Sequence, residues 1–349
     1  MTYHSLRTEI LFDSRPELTL VLVVEIGRPD LQPVVIRVPE ITGLEAGGLF
    51  SRPAETAPMS SFPVETAAIT ELTAYRIADP LTIDGRLDEC AWQSVDRSKR
   101  FVDLVDGTRT IHDTRVALLW DDEYLYVGYW VEEPFVEASL SQRDAPIYTD
   151  NDVELFIAGP DAYYELEINA FGTIYEVFFV WEEAYQDAGF ADIDAFDRSP
   201  EGVEAFDGVG YDHPRGERIG YWNWDFPGLE WDVWVDGTIN DNSDRDRGWL
   251  VEVALPWESM APIFRGTNRA LPPSPGDSWR LDFSRFNQYK EAPPAVDSGG
   301  WALSHHGVWD SHVPEVFPFV TFSAEQATER SPQSHNQVGF GRTQWQFDT

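Results

Sequence analysis

Cysteine is almost missing from this 349-residue chain, where Cys90 is the only one. A single thiol excludes an intrachain disulfide and any thiolate metal cluster. Its setting between Glu89 and Ala91, in a predicted short helix, suits a small buried residue. Lysine is nearly as scarce, being limited to Lys99 and Lys290, and 25 basic residues face 61 acidic ones for a net charge of -36. Nucleic acid and anionic membrane surfaces need clustered Lys and Arg, so both are excluded as partners. Self-repulsion on this scale is screened by salt, which fits a halophilic-type acidic protein. Long apolar runs are missing as well. No stretch approaches the roughly 20 residues that span a bilayer, so membrane insertion is not expected. The run Leu18–Val24 lacks a basic flank and is followed by Glu25, a poor signal peptide. Location is left two ways: cytoplasmic if the start is correct, extracellular or periplasmic if a leader was missed.

Aromatics are plentiful, at 14% of residues with 14 Trp, which favours β structure and aromatic-lined surfaces. Residues 1–70 form an N-terminal extension, with a possible hairpin of Leu18–Glu25 and Val34–Val38. Residues 43–68, rich in Gly, Pro, Ser, Thr and Ala, are read as a linker. From residue 75 strand follows strand. Val116–Trp120 and Tyr124–Val131 pair across an Asp121-Asp122-Glu123 turn, and Thr173–Trp181 returns through Phe171-Gly172. Leu229–Asn240 pairs with Trp249–Ala254, and Trp279–Phe286 and Glu315–Phe322 complete the set. Glu89–Val95 is a short helix with Trp92 inward. Residues 184–228 are read as a long loop insertion and 323–349 as a polar tail. The pattern predicts an all-β fold, an antiparallel β-sandwich over 75–322 with short helices.

Chemistry concentrates between Tyr148 and Glu176. Strand side chains alternate between faces, so Val153, Leu155, Ile157, Tyr164, Leu166 and Ile168 enter a core while Glu154, Glu165, Glu167 and Asn169 share the other face. A polar sheet face rimmed by aromatics suits a pyranose. Its C–H face stacks on rings, while its hydroxyls require directed acceptors and donors.

Five ordered motifs sharpen this. They are Asp84-Gly85-Arg86-Leu87-Asp88-Glu89 with Trp92, Leu118–Val127, Asp150–Ile157, Gly248–Trp257 and His312-Val313-Pro314-Glu315. Together they resemble family 9 carbohydrate-binding modules of the DOMON-like β-sandwich group, over about residues 75–322. The resemblance implies non-catalytic binding of a mono-, oligo- or polysaccharide end between two rings, linked to polysaccharide breakdown or uptake. Matched by motif, Tyr148 and Trp309 are the rings, with Trp301 as a second choice. Glu154 and Asn169 supply hydrogen bonds, His306 stands where an amide belongs, and Glu167 stands where an Arg belongs. Arg285, on the Trp279–Phe286 strand, is within reach of the slot or of a neighbouring acid. Glu165 is expected to face solvent, and Trp120 to be core.

The resemblance also implies structural Ca²⁺, for which Asp121-Asp122-Glu123 and Asp150-Asn151-Asp152 are oxygen-rich turns, while the alternating oxygens of Asp241, Asn242, Asp244 and Asp246 are the expected ligands, without the terminal Glu of an EF-hand. His305, His306 and His312 match no zinc spacing. No organic cofactor is expected. Haem would need an axial ligand such as Met, and Met1, Met59 and Met260 lie on no predicted sheet face. A glycoside hydrolase would pair two carboxylates such as Glu154 and Glu167, but the sequence supplies no apolar surround to raise one pKa. A structural or interaction module is the remaining alternative.

Overall fold

The computed structural model describes residues 69–288, 290 and 299–329, residue 64, and three N-terminal strands as backbone. The chain divides into two units, Met1–Pro58 and Met59–Thr349. In the first, β1 (Leu6–Ile10), β2 (Leu20–Val24) and β3 (Val34–Arg37) form an antiparallel sheet in that order. The expected linker at 43–68, residue 64 apart, lies outside the described residues, as do 330–349 of the expected tail.

The second unit is all-β. Its strands are β4 (Glu71–Arg76), β5 (Val102–Asp103), β6 (Thr114–Trp120), β7 (Tyr124–Glu132), β8 (Asp152–Ala158), β9 (Ala162–Asn169) and β10 (Ile174–Trp181). They continue with β11 (Val203–Phe206), β12 (Arg218–Tyr221), β13 (Glu230–Asp236), β14 (Gly248–Pro256), β15 (Ser278–Asn287), β16 (Gly299–Ala302) and β17 (Phe319–Gln326). The main path of the sheet runs β11-β12-β10-β9-β8-β15-β17-β4-β6-β7-β14-β13, with β16 and β5 beside β15. Pairing is antiparallel except at β4, which lies parallel to both β17 and β6. The 184–228 insertion is more than loop, because β11 and β12 extend the sheet beyond β10.

Alternation builds the sandwich. One phase of β6, β7 and β14 (Leu118, Tyr129, Val251) shares a core with one phase of β8, β9 and β15 (Leu155, Leu166, Phe283). The layers are also joined by a hydrogen bond, since the Tyr129 hydroxyl donates to the Glu154 carbonyl at 2.7 Å. Trp120 is fully buried in this core and its indole donates to the Ser323 carbonyl. Burying such side chains contributes roughly 1.5–3 kcal/mol each. The opposite phase of β8–β10 is covered too. Phe156, Tyr163, Tyr175, Val177, Phe179 and Trp181 form a second apolar cluster with Phe317. Both faces of β8, β9 and β10 are therefore buried throughout. In α1 (Cys90–Gln93) Ala91 and Trp92 are buried while Cys90 is exposed, contrary to expectation, because the inward side is taken by the indole.

Candidate functional site

Register places the acidic groups. Glu154 on β8 pairs across strands with Glu167 on β9, Phe156 pairs with Glu165, and Asp152 pairs with Asn169. On the flanks Ser284 of β15 is opposite Glu154, and Tyr175 of β10 is opposite Glu167. Like charges directly opposite one another repel. Here they are also dry, since Asp152, Glu154, Glu165 and Glu167 are all buried. The expectation that Glu165 faces solvent is overturned, because the outer phase of β9 is roofed by other segments of the chain.

That roof encloses a cavity of about 690 Å³, a size typical of small-ligand sites. Glu154, Glu165 and Glu167 lie at its base, with Tyr148, Tyr175, Trp222, Phe286 and Trp309 among the aromatic lining. Tyr148 and Trp309 are 48% and 47% exposed, so their rings have face available to a ligand. Tyr148 sits on the turn Ile147–Thr149 with its ring edge-on to Tyr175 at 5.8 Å. Asp150 ties that turn down by accepting from the Ser139 and Leu140 amides and from Lys290 Nζ. Trp309 stands edge-on to Phe286 at 5.4 Å. Next to it, Asp310 Oδ2 accepts from the amides of Val209, Gly210 and Tyr211 at 2.8, 3.0 and 3.1 Å. This clamps part of the insertion against the Trp309 segment. A Cβ at position 210 would meet the Trp309 carbonyl oxygen at 2.3 Å, so only glycine allows the approach.

Burial dominates the electrostatics. It raises the Glu154 carboxyl from 4.5 to about 7, although Ser284 and Ser311 hydroxyls donate to its Oε2 at 2.7 and 3.1 Å. Burial, followed by neighbouring carboxylates, pushes Asp152, Glu165 and Glu167 well above the usual range. The fold thus supplies the pKa-raising surround that the sequence did not reveal. Burial takes His312 down to about 3, and its ring lies 3.2 Å from the Tyr163 hydroxyl.

Tyr148, Glu154, Glu167 and Trp309 are brought together at the cavity; four other expected residues are not. Asn169 is fully engaged, donating to the Leu140 carbonyl and Asp150 and accepting from the Phe171 and Thr173 amides, so it caps the β9–β10 turn. Arg285 points into the sandwich, where it bonds Thr114, the Glu132 carbonyl, Glu133 and Asn287 and stacks over the Trp301 ring. Trp301 is itself core. His306 is buried between the Asp310 carbonyl at 2.8 Å and Asp282 at 3.2 Å. Burial opposes its protonation, but Asp282 outweighs that and its pKa is raised.

The expected calcium loop does not converge. Asp246 turns its oxygens to the Val136 and Thr238 amides, Asp241 accepts from the Ser243 amide, and Asn242 donates to Glu137. Asp244 is exposed. Among the described residues, the group of three whose ligand atoms lie within 4.8 Å of one another is Asp152, Glu154 and Glu167.

Sequence reasoning missed Tyr175, Trp222, Phe286, Asp310 and Ser311, and placed Asp152 only in an oxygen-rich turn. For Asp152 the signal was present, since it is in phase with Glu154. Phe286 and Ser284 are likewise in phase on β15. For Trp222, inside the insertion, no periodic signal existed.

No family model matches the sequence, and no curated protein matches it. Among solved structures, three similar chains are as follows. A candidate carbohydrate-binding protein from Bacteroides uniformis is 14% identical, with 73% of this chain and 100% of that chain covered and a TM-score of 0.46. A family 9 carbohydrate-binding module from Caldicellulosiruptor kristjanssonii in complex with cellotriose is 13% identical, with 74% and 95% covered and a TM-score of 0.39. A module of the same family and organism in complex with glucose is 14% identical, with 74% and 97% covered and a TM-score of 0.41.

Proposed function

We propose that this protein binds a sugar or the end of a glycan, without chemistry of its own, in the cavity between Tyr148 and Trp309. One observation carries the reading: two half-exposed rings open onto a cavity whose base is a row of carboxylates. Rings offer stacking area to the C–H face of a pyranose, and carboxyl groups accept from its hydroxyls. A hydrogen bond to a charged partner contributes about 1.5–3 kcal/mol when water is excluded, so a few such bonds with stacking give micromolar-class affinity. Binding of this kind serves polysaccharide breakdown or uptake.

The test is a glycan array followed by calorimetry at high salt. Trp309→Ala and Tyr148→Ala are each expected to weaken a responsive sugar at least tenfold, with an unchanged melting profile. A screen that finds no saccharide ligand would sink the reading.

A second reading is favoured by the Glu154 carboxyl, which titrates at about 7 as a general acid requires. Hydrolysis of a chromogenic glycoside, abolished in Glu154→Gln, would replace binding with catalysis.

A further inference from the structure

The base of the cavity gathers more carboxyl groups than a neutral sugar can answer. Asp152, Glu154 and Glu167 each present an oxygen within 4.8 Å of the others, and all three side chains are at least 97% buried by their 0%, 3% and 2% exposures. Two oxygens have no hydrogen-bond partner, Asp152 Oδ2 and Glu167 Oε2. The remaining donors are already directed elsewhere. The Phe286 amide goes to Asp152 Oδ1, and the Ser284 and Ser311 hydroxyls go to Glu154 Oε2. Orphaned acceptors buried this deeply are expensive unless something charged fills the space between them.

We infer that Asp152, Glu154 and Glu167 hold a hard divalent cation of the calcium class at the base of the cavity, with its open coordination positions turned to the ligand. Oxygens about 2.3–2.6 Å from a Ca²⁺ lie at most about 5 Å apart across the ion, the spacing seen here. Once their protons are displaced, three carboxyl groups also match a divalent charge better than that of a single ammonium. Asp152 does not line the cavity whereas Glu154 and Glu167 do, so a small ion reaches all three and an amine on a sugar ring does not. The second half of the inference rests on the sugar-binding reading: two hydroxyls of the sugar would complete the shell of the ion. Glu167 is then a cation ligand in the position where the resemblance calls for an Arg.

The experiment is calorimetric titration of the chelator-treated full chain with Ca²⁺ in molar NaCl, which screens diffuse attraction to the acidic surface. One saturable site is expected, weakened at least tenfold by Glu167→Gln and by Asp152→Asn, and unchanged by Asp244→Asn in the exposed loop. Should Asp152→Asn fail to fold, Glu167→Gln decides alone. No saturable site, or a site insensitive to Glu167→Gln, overturns the ion. Binding of glucosamine that is lost in Glu167→Gln, without Ca²⁺ binding, overturns it in favour of an ammonium. Sugar affinity is then compared in Ca²⁺ and in chelator. Equal affinity overturns the bridging role, whereas Ca²⁺ binding with no sugar binding in either condition leaves the ion standing and ends the sugar reading.

Discussion

Raising the pH from 5 to 8 in the presence of chelator is expected to destabilise the protein by several kcal/mol. Glu154 and Glu252 both rise from 4.5 to about 7 in the folded state, chiefly through burial. Below pH 4.5 both states of the protein hold these protons, so the groups cause no loss. Between 4.5 and about 7 the unfolded chain releases them and the folded chain does not, so stability falls across that window, by about 3 kcal/mol per group once it is passed. Asp152, Glu165 and Glu167 are raised further and extend the fall above pH 7. His306, raised by Asp282 against its burial, acts in the same direction. His112 and His312 act against it. Burial lowers each to about 3, so each adds about 2 kcal/mol as the pH climbs from 5 to 6.5. Five carboxyls outweigh two imidazoles. Urea unfolding at pH 5, 6, 7 and 8 checks the trend. Glu165→Gln, which keeps the shape and removes the titration, is expected to be more stable than the parent at pH 8 and to flatten the profile. A midpoint that holds level or rises with pH contradicts the picture of the cavity base.

The same residues mark where the sequence was legible and where it was not. Alternation along Asp152–Ile157 and Tyr164–Asn169 identified the buried phase and the acidic phase correctly, because period two is a property of the strand alone. It could not say that the acidic phase is roofed. The roof comes from Phe206–Val209 and Trp222 inside the insertion and from Trp309–His312 near the far end of the chain, contacts that span about a hundred residues. Glu165 was therefore placed in solvent although it is buried, and the raised pKa of Glu154 went unseen. Tyr148 and Trp309 were assigned through the family resemblance, by their places relative to the Glu154 strand and the last strand, and both are exposed at the cavity. Asn169 was chosen for its chemistry, yet the neighbouring Phe171-Gly172 turn recruits both ends of its amide, a local demand that wins over a ligand.

Arg285 shows the opposite failure, since its signal was present and outweighed by its charge. It falls in phase with Trp279, Leu281 and Phe283 on β15, so period two alone directs it to the core. Its side chain is indeed fully buried beside Glu133, which also accepts from Trp249 Nε1 and Asn151 Nδ2 at 2.6 Å each. Arg285→Ala is expected to destabilise the fold by about 3–5 kcal/mol, because it leaves the Glu133 carboxylate buried without its cation and strips the stacking partner from Trp301. Glu133→Gln removes the opposite charge and is expected to cost a similar amount. In the double variant the loss is expected to be smaller than the sum, since neither charge is then left alone. Denaturant titration of the four proteins reads the coupling directly. A ligand role for Arg285 predicts something different: a small change in unfolding free energy with a large loss of sugar affinity. The structural role predicts a large loss of stability, with the sugar affinity of the folded fraction retained within about twofold, as a residue turned away from the cavity requires.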